Sequence, residues 1–285
     1  MDGDSSSVDD ETMNVAGITD DSKREKKNAL TIINTDARSL CPKIDSLVDC
    51  FEELEVDVAV ITETWLKDSP ELDQDLRDLE EGAGISSVTL NRLPNRLGVS
   101  HGGVAVLTRK GMGNFKKINV PNPDSFEVLP VIGSVIGSAR KLVVIGIYIP
   151  PNYTVPRGND CLEYVENLII DIKARYQDPY ILVAGDFNQW AIDTALSDFP
   201  DLSEVLVGPT RGDRSIDRIF CNITRGILES GTVPPLESES SKSDHRIAYL
   251  KTALPRTHSY EWVSYTYRHF TPEAEYWGGF REFYI

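Results

Sequence analysis

The sequence predicts an α/β domain in which two packed β-sheets carry helices on their outer faces. The chain opens with a strand, a helix and a second strand, at residues 29–34, 44–54 and 56–62. Many short β-branched runs follow, separated by Gly, Pro and Asn, whereas only one further helix is clearly patterned. Connections of such mixed length fit a single parallel sheet less well than two packed sheets.

Each element follows from the spacing of its apolar residues. The first two strands, ALTIIN and VDVAVIT, are rich in β-branched residues, and the second is predicted to be a buried strand. Between them, apolar residues recur at helical spacing, at Ile44, Leu47, Val48, Phe51 and Leu54. A second helix is predicted over 161–176, in CLEYVENLIIDIKARY. Further strands are predicted at 85–91, 102–108, 126–133, 142–149, 180–185, 215–222 and 246–250.

Three segments differ in composition. Residues 1–27 are rich in Asp and Ser and poor in apolar residues, which is typical of a disordered acidic leader. Residues 28–252 carry the regular pattern of strands and helices and form the predicted domain. Residues 253–285 are rich in aromatic side chains that do not alternate cleanly, so we expect a partly disordered tail.

The charge and the apolar runs restrict the function and the location. A formal net charge of −16 weighs against a nucleic-acid substrate, although bound cations and a local basic groove can offset global repulsion. No run approaches the roughly 20 apolar residues that span a bilayer, and the N-terminus lacks the pattern of a signal peptide. We therefore predict an intracellular protein of the nucleus or cytoplasm that is neither secreted nor bound to a membrane.

Polar side chains cluster where predicted strands begin or end. They are Glu63 in ITETW, Asp186 and Asn188 in GDFN, Asp217 in SIDRIF, and Asp244 with His245 in SDHRI. Strand ends and their loops converge on a common crevice in α/β folds, where ligands bind. Carboxylates that meet there repel one another unless a cation binds them, and oxygen ligands favour Mg²⁺, Mn²⁺ or Ca²⁺.

Each of these residues also has a purely structural interpretation. Asp186 and Asp244 suit turn or cap positions, Glu63 suits a surface ion pair, and His245 suits a satisfied core position. Asp217 is harder to explain in this way, because a carboxylate inside an apolar strand is unfavourable without a partner. His245 is the natural partner for it.

Taken in order, the motifs resemble the endonuclease/exonuclease/phosphatase superfamily, and specifically the endonuclease domain of LINE-type (non-LTR) retrotransposons. The resemblance covers about residues 29–250 and rests on DARSLCPKID, VAVITETWL, GGVAVL, GIYIPPN, ILVAGDFN, PTRGDRSIDRIF and SDHRI. It implies a deoxyribonuclease I-like four-layer sandwich of two mixed β-sheets with outer helices. It also implies metal-dependent hydrolysis of phosphodiester bonds with Mg²⁺ or Mn²⁺. The tail at residues 253–285 resembles the connector that leads into the reverse transcriptase of such elements.

The resemblance assigns a role to each matching residue. Glu63 would be the principal metal ligand, and Asp244 a metal ligand or a carboxylate behind the ligands. Asp186 would orient or deprotonate the attacking water, and Asn188 would hydrogen-bond the phosphate. The remaining assignments are Tyr148 beside the scissile phosphate, Asp217 orienting His245 against a phosphate oxygen, and Ser243 with Thr210 as minor contacts to the substrate.

The opening motif departs from the expected pattern at Asp36, where the resemblance leads us to expect an asparagine. An amide binds metal or phosphate without adding charge, whereas Asp36 offers oxygens only and stands among other carboxylates. We expect Asp36 at the metal rim and Asn34 deeper in the strand, about 7 Å further back on the same face.

Three functions remain open at this point. The first is a DNA endonuclease that nicks target DNA for retrotransposition and leaves a 3′ hydroxyl, with the reverse transcriptase of the parent element as its partner. The second is a phosphatase or phosphodiesterase acting on small or lipid phosphates. The third is a catalytically impaired binding module, because of Asp36.

Overall fold

A computed structural model describes residues 29–253, except 67–78, 80, 92–101, 122, 124–125, 136–137, 152–154, 191–195, 197–198, 206 and 224–225. The first half contains β1 (Ala29–Asp36), a 3-10 turn (Cys41–Lys43), α1 (Ile44–Glu53), β2 (Val58–Thr62), β3 (Ile85–Leu90), β4 (Val104–Arg109), β5 (Phe115–Lys117) and β6 (Glu127–Ser134). The second half contains β7 (Lys141–Tyr148), α2 (Val155–Arg175), β8 (Tyr180–Asp186), β9 (Ser203–Val205), β10 (Asp217–Cys221), β11 (Ile227–Val233) and β12 (Ile247–Ala253).

The twelve strands form two six-stranded mixed sheets, ordered β11-β12-β1-β2-β4-β3 and β5-β6-β7-β8-β10-β9. Each sheet has one parallel pair at its centre, β1 with β2 and β7 with β8, and its other pairs are antiparallel. Each parallel pair is joined by a connection that contains a helix, which parallel strands require.

Three apolar clusters separate the layers. One lies between the sheets and includes Ile32 and Val60 from the first sheet and Val144 and Leu182 from the second. The others cover the outer faces, where residues of α1 pack on the first sheet and residues of α2 pack on the second. The order helix–sheet–sheet–helix confirms the predicted four-layer sandwich.

Side-chain alternation brings the polar residues to the space between the sheets. In the central strands, every second residue faces the inner cluster, as Leu30 and Ile32 do in β1. The same alternation continues past the apolar residues to the ends of five strands. It places on the inner face Asn34 and Asp36 of β1, Thr62 of β2, Tyr148 of β7, Asp186 of β8 and Asp217 of β10.

The structure extends the sequence predictions in three ways. Strands β5, β9 and β11 were not predicted, and all three are sheet edges, where a continuous apolar run is not needed. Strand β1 continues to Asp36, and α2 begins at Val155 rather than at 161. The proposed leader and almost all of the proposed tail lie outside the described residues. Within the described part of the chain, no helix is long and apolar enough to cross a membrane.

Candidate active site

Strand pairing sets the inner-face residues beside one another at one end of the sandwich. Tyr148 pairs with Asp186 across β7 and β8, and Asp186 pairs with Asp217 across β8 and β10. In the other sheet, Asp36 pairs with Thr62, and Glu63 follows directly. The two sheets therefore contribute facing sets of carboxylates to one cluster.

Asp36, Asp186 and His245 form the centre of this cluster. One carboxylate oxygen of each Asp and one ring nitrogen of His245 lie within 4.8 Å of one another, and all three residues are buried. Asp36 accepts hydrogen bonds from the Arg38 backbone N–H at 3.0 Å and the Thr62 hydroxyl at 3.4 Å. Burial, and then the charge of Glu63, raise the pKa of Asp36 well above its ordinary range.

Asp186 is held by the residue two positions later. The backbone N–H of Asn188 donates to its Oδ1 at 2.8 Å, and the Asn188 side-chain amide donates to its Oδ2 at 3.1 Å and to the Ile149 carbonyl at 2.8 Å. Asn188 has a left-handed backbone, with φ at 49°. Burial, and then the charge of Asp217, raise the pKa of Asp186 to about 7. The predicted phosphate ligand Asn188 therefore also fixes the orientation of Asp186.

Asp217 and His245 form the expected pair. Nδ1 of His245 lies 2.8 Å from Oδ2 of Asp217, and both residues are almost fully buried. Burial of the ring opposes its charged form, but the hydrogen bond and charge of Asp217 outweigh it and raise the pKa of His245 to about 9. The pair therefore keeps the ring protonated at neutral pH and leaves Nε2 for a different contact.

The hydroxyls of Thr210 and Ser243 support the backbone of this pair. Thr210 accepts from the backbone N–H groups of Ile216 and Asp217, at 3.2 and 3.1 Å. Ser243 accepts from the backbone N–H of His245 at 3.1 Å and donates to the Asp36 carbonyl at 2.6 Å. Both residues are buried, and their hydroxyl bonds position Asp217, His245 and Asp36, while their predicted contacts with the substrate stay a prediction.

Glu63 enters the site from the loop after β2. Its carboxylate accepts a 2.5 Å hydrogen bond from the Tyr148 hydroxyl, which joins the two sheets at the mouth of the cluster. Its backbone is left-handed, with φ at 46°, an uncommon conformation that is frequent at functional sites. Burial and the neighbouring charge of Glu63 raise the pKa of Tyr148, so the phenol keeps its proton.

Asp244 lies outside the metal-type cluster found among the described residues. Its carboxylate forms ion pairs with Arg38 at 3.0 Å and Arg211 at 2.8 Å, and its side chain is 43% exposed. Its Oδ1 is also 3.9 Å from Nε2 of His245. Burial disfavours the charged carboxylate, but the hydrogen bond from Arg38 and the charge of Arg211 outweigh burial and lower the pKa of Asp244. Sequence reasoning did not identify either arginine as part of the site, because their spacing along the chain gives no signal of contact.

Asn34 is a further site residue that the sequence placed only as an inner strand position. It is fully buried, and its side-chain amide donates across to the second sheet, to the Gly185 carbonyl at 3.0 Å and the Arg218 carbonyl at 3.3 Å. These carbonyls flank Asp186 and Asp217, so Asn34 connects β1 to the two strands that carry these aspartates. Among the described residues, no donor reaches Asn34 Oδ1, which leaves a buried acceptor beneath the cluster.

The donor set fits a hard divalent cation. Asp36, Asp186 and the adjacent Glu63 supply carboxylate oxygens, and the raised pKa values of the two aspartates reflect repulsion that a cation would relieve. His245 fits a ligand role poorly, since its Nδ1 is bonded to Asp217 and its ring is protonated at neutral pH. Oxygen ligands of this kind favour Mg²⁺ or Mn²⁺ over softer metals.

Comparison with known proteins places this arrangement in context. A family model described as "Endonuclease/Exonuclease/phosphatase family" matches residues 12–245. A search of curated protein sequences finds no match.

Solved structures share the fold at low sequence identity. A humanized D. rerio TDP2 carrying 14 mutations aligns with a TM-score of 0.58 at 15% identity, over 80% of this chain and 100% of that one. The endonuclease domain of TRAS1, a telomere-specific non-LTR retrotransposon, aligns with a TM-score of 0.54 at 12% identity, over 79% and 99%. A variant of the 3′ phosphatase NExo from Neisseria, bound to a product DNA hairpin, aligns with a TM-score of 0.58 at 14% identity, over 79% and 100%.

Proposed function

Because this chain belongs to the endonuclease/exonuclease/phosphatase family, we propose that it is a divalent-metal-dependent endonuclease that hydrolyses DNA phosphodiester bonds. One observation carries this proposal: Asp36, Asp186 and His245 bring reactive atoms within 4.8 Å of one another, with Asp217 holding His245. That arrangement combines a cation site, a base and a charged proton donor in one crevice.

The residues divide into cation ligands and groups that act on the substrate. Asp36 and Glu63 would hold Mg²⁺ or Mn²⁺, and Asp186 beside them would act on the attacking water. When bound, the cation supplies electrostatic stabilisation of the negative charge on the phosphoryl oxygens. Tyr148 donates to Glu63 and fixes its carboxylate while lying beside the scissile phosphate.

Asp186 suits the role of general base. Burial and the charge of Asp217 raise its pKa to about 7, close to the pH at which it would accept a proton from water. Attack of the water oxygen on phosphorus forms one P–O bond and breaks the bond to O3′, which leaves with the bonding electron pair and takes up a proton from solvent. The products are a 3′ hydroxyl and a 5′ phosphate.

His245 suits the role of a charged donor to the phosphate. Its Nε2 is directed away from Asp217, and its raised pKa keeps the ring positive at neutral pH. A fixed positive charge in a water-poor site stabilises the developing oxyanion more strongly than solvent does. Asp217 acts through His245 by holding its charge and orientation.

The ordered motifs also support a role in retrotransposition. A nick that leaves a 3′ hydroxyl provides a primer for a reverse transcriptase, which would be the partner of this domain in the parent element. The TRAS1 endonuclease domain, a domain of a non-LTR retrotransposon, shares the fold, which agrees with this assignment.

A plasmid-nicking assay tests the proposal. We expect the wild type to convert supercoiled plasmid to nicked circles with Mg²⁺ or Mn²⁺ and not with EDTA, and the nicks to be extended by a DNA polymerase. We expect His245→Gln to reduce the rate by roughly 10²- to 10³-fold, the usual effect of removing one donor that stabilises a developing oxyanion. Asp178→Asn, which changes an exposed ion pair, is the matched control.

Two other functions have specific observations in their favour. The net charge of −16 favours a small or lipid phosphate as substrate, and metal-dependent release of phosphate without plasmid nicking would select that alternative. The carboxylate at Asp36 favours an impaired binding module. DNA binding without turnover, together with recovery of nicking in Asp36→Asn, would select that one.

A further inference from the structure

Two arginines and one aspartate form a charged group at the mouth of the site, which we call the arginine rim. Arg38 and Arg211 each contact one oxygen of Asp244, at 3.0 and 2.8 Å. The arginine side chains are 46% and 34% exposed, whereas the His245 side chain is 2% exposed. The rim therefore lies on the solvent side of the catalytic cluster.

The backbone that carries Arg38 is bonded directly to the catalytic cluster. The Arg38 N–H donates to Asp36, and the next residue, Ser39, donates from its N–H to the Glu63 carbonyl at 2.9 Å. The buried amine of Lys43 donates to the carbonyls of both Arg38 and Ser39, at 3.2 and 3.1 Å. Both of these loop residues have positive φ, so several fixed bonds maintain an uncommon backbone.

Arg211 is carried by a tight turn that is also anchored to the site. The N–H of Arg211 donates to the Arg214 carbonyl, and the N–H of Arg214 donates back to the Arg211 carbonyl. The preceding residue, Thr210, supports Asp217 through its hydroxyl and accepts the Arg246 N–H through its carbonyl at 2.7 Å. Both guanidinium groups therefore start from backbone positions that are fixed relative to Asp217 and His245.

The charge of the rim differs from that of the whole chain. Two arginines contact one carboxylate, and Nε2 of His245 lies 3.9 Å from the same carboxylate, in a protein whose net charge is −16. Exposed ion pairs of this kind contribute little to stability, so a structural role alone does not account for three charged groups held together. Guanidinium groups match phosphate geometry and form bidentate contacts with it.

We infer that Arg38 and Arg211 bind the backbone phosphate next to the scissile one, which makes a DNA chain, rather than an isolated phosphate ester, the preferred substrate. This inference rests on the proposed function and specifies its substrate class. The buried cluster acts on one phosphate, and the rim, further out, meets the neighbouring phosphate of the same strand. Asp244 keeps the two guanidinium groups together before the DNA arrives.

The first experiment measures DNA binding, so it does not depend on turnover. A fluorescein-labelled DNA duplex is titrated by anisotropy in EDTA with wild type, Arg38→Gln, Arg211→Gln and the double variant. Each neutralised phosphate contributes about 0.9 to the slope of log affinity against log salt, which is about 3.5-fold between roughly 50 and 200 mM salt. Because both arginines meet the same phosphate, we expect the double variant to lose about that much salt dependence and each single variant to lose part of it.

The second experiment compares two substrates with Mn²⁺ present. Plasmid DNA has flanking phosphates, whereas bis(4-nitrophenyl) phosphate has none. We expect the double variant to lose at least about tenfold in kcat/KM on plasmid, mainly through KM, and to lose a clearly smaller factor on bis(4-nitrophenyl) phosphate. Arg175→Gln, which removes an exposed arginine paired with Asp171 on α2, is the control and should match wild type in both experiments.

Three outcomes would overturn the inference. They are a wild type that does not bind the duplex, rim variants with unchanged affinity and salt slope, and equal losses on both substrates. Failure of the proposed function is distinct, because it appears as wild-type protein that does not nick plasmid in Mg²⁺ or Mn²⁺. Arg38→Lys keeps the charge and loses the planar fork. If this variant melts at the wild-type temperature but binds DNA more weakly, the loss comes from the phosphate contact and not from misfolding.

Discussion

Replacement of Asp217 by Asn tests whether a buried carboxylate keeps His245 charged. The amide has nearly the same shape and can still accept from Nδ1 through its oxygen, but it carries no charge. The pKa of His245 is raised from 6.5 to about 9 against the effect of burial, mainly by the hydrogen bond and charge of Asp217. A difference of this size corresponds to about 3 kcal/mol of preference for the charged ring, since one pKa unit is about 1.4 kcal/mol.

The sign of the pH effect follows from the direction of the shift. Because the folded pKa is raised, the folded protein binds the proton more tightly, and the stabilisation is fully present below pH 6.5. It is lost as the pH rises from 6.5 through about 9. Loss of the Asp217 charge also lowers the pKa of Asp186, so the ionised Asp186 destabilises the variant less than the wild type at high pH. This second effect also makes the loss of stability in the variant smaller at high pH than at low pH.

Urea unfolding in EDTA measures this effect directly. We expect Asp217→Asn to be less stable than wild type by about 3 kcal/mol near pH 6 and by much less near pH 9. Proton NMR of the wild type should show one of the four histidines titrating near 9, and His245→Gln should remove that signal. Equal destabilisation at both pH values, or a His245 titration near 6.5, would refute the argument. Asp178→Asn should show no such pH dependence.

Three further predictions follow from the same contacts. Mg²⁺ at about 100 times its Kd should stabilise the wild type by about 2.7 kcal/mol, or roughly 5 to 10 °C in Tm, and Asp36→Asn should reduce this shift in a thermal melt. Glu127 accepts the Gly103 N–H at 2.6 Å, and the carbonyls of Gly102 and Gly103 accept from the loop after Glu63. Glu127→Ala should therefore reduce Mg²⁺ affinity and kcat, whereas Glu127→Gln should keep both, as measured by isothermal titration and nicking rates. Asn34→Ala should lower the free energy of urea unfolding by about 2 to 3 kcal/mol, since it leaves the Gly185 and Arg218 carbonyls buried without their donor.

The sequence predicted the central strands well because they are buried on both faces. Runs such as VAVIT and LVVIGIY are rich in β-branched residues and contain no charged residue, and they occupy the middle of each sheet. The edge strand Ile227–Val233 is exposed or half-buried throughout, so it carries no such pattern and was missed. An edge strand of this kind is formed by pairing with a distant segment of the chain, which the periodicity within one segment does not reveal.

The same distinction applies to the site residues. Asp217 and His245 were paired in advance because a carboxylate inside an apolar strand needs a partner, and the structure gives them a 2.8 Å contact. The contacts of Asp244 with Arg38 and Arg211 could not be predicted, since loops that are remote in sequence bring these side chains together. The bonds of Asn34 to the opposite sheet depend on how the two sheets pack, which alternation within one strand does not specify.

The position of Asp36 gives the acidic cluster its dependence on a cation. Alternation places Asp36 on the inner face of β1, opposite Asp186 on β8, and Glu63 adds a third carboxylate at the mouth. Burial and mutual repulsion favour protonation of the two aspartates in the absence of metal, which is why their pKa values are raised. A divalent cation must therefore displace protons as it binds, so its affinity should rise with pH through about 7, where Asp186 loses its proton. An asparagine at position 36 would remove one of these protons and one of the negative charges. The site would then bind the cation less tightly and repel the phosphate less strongly.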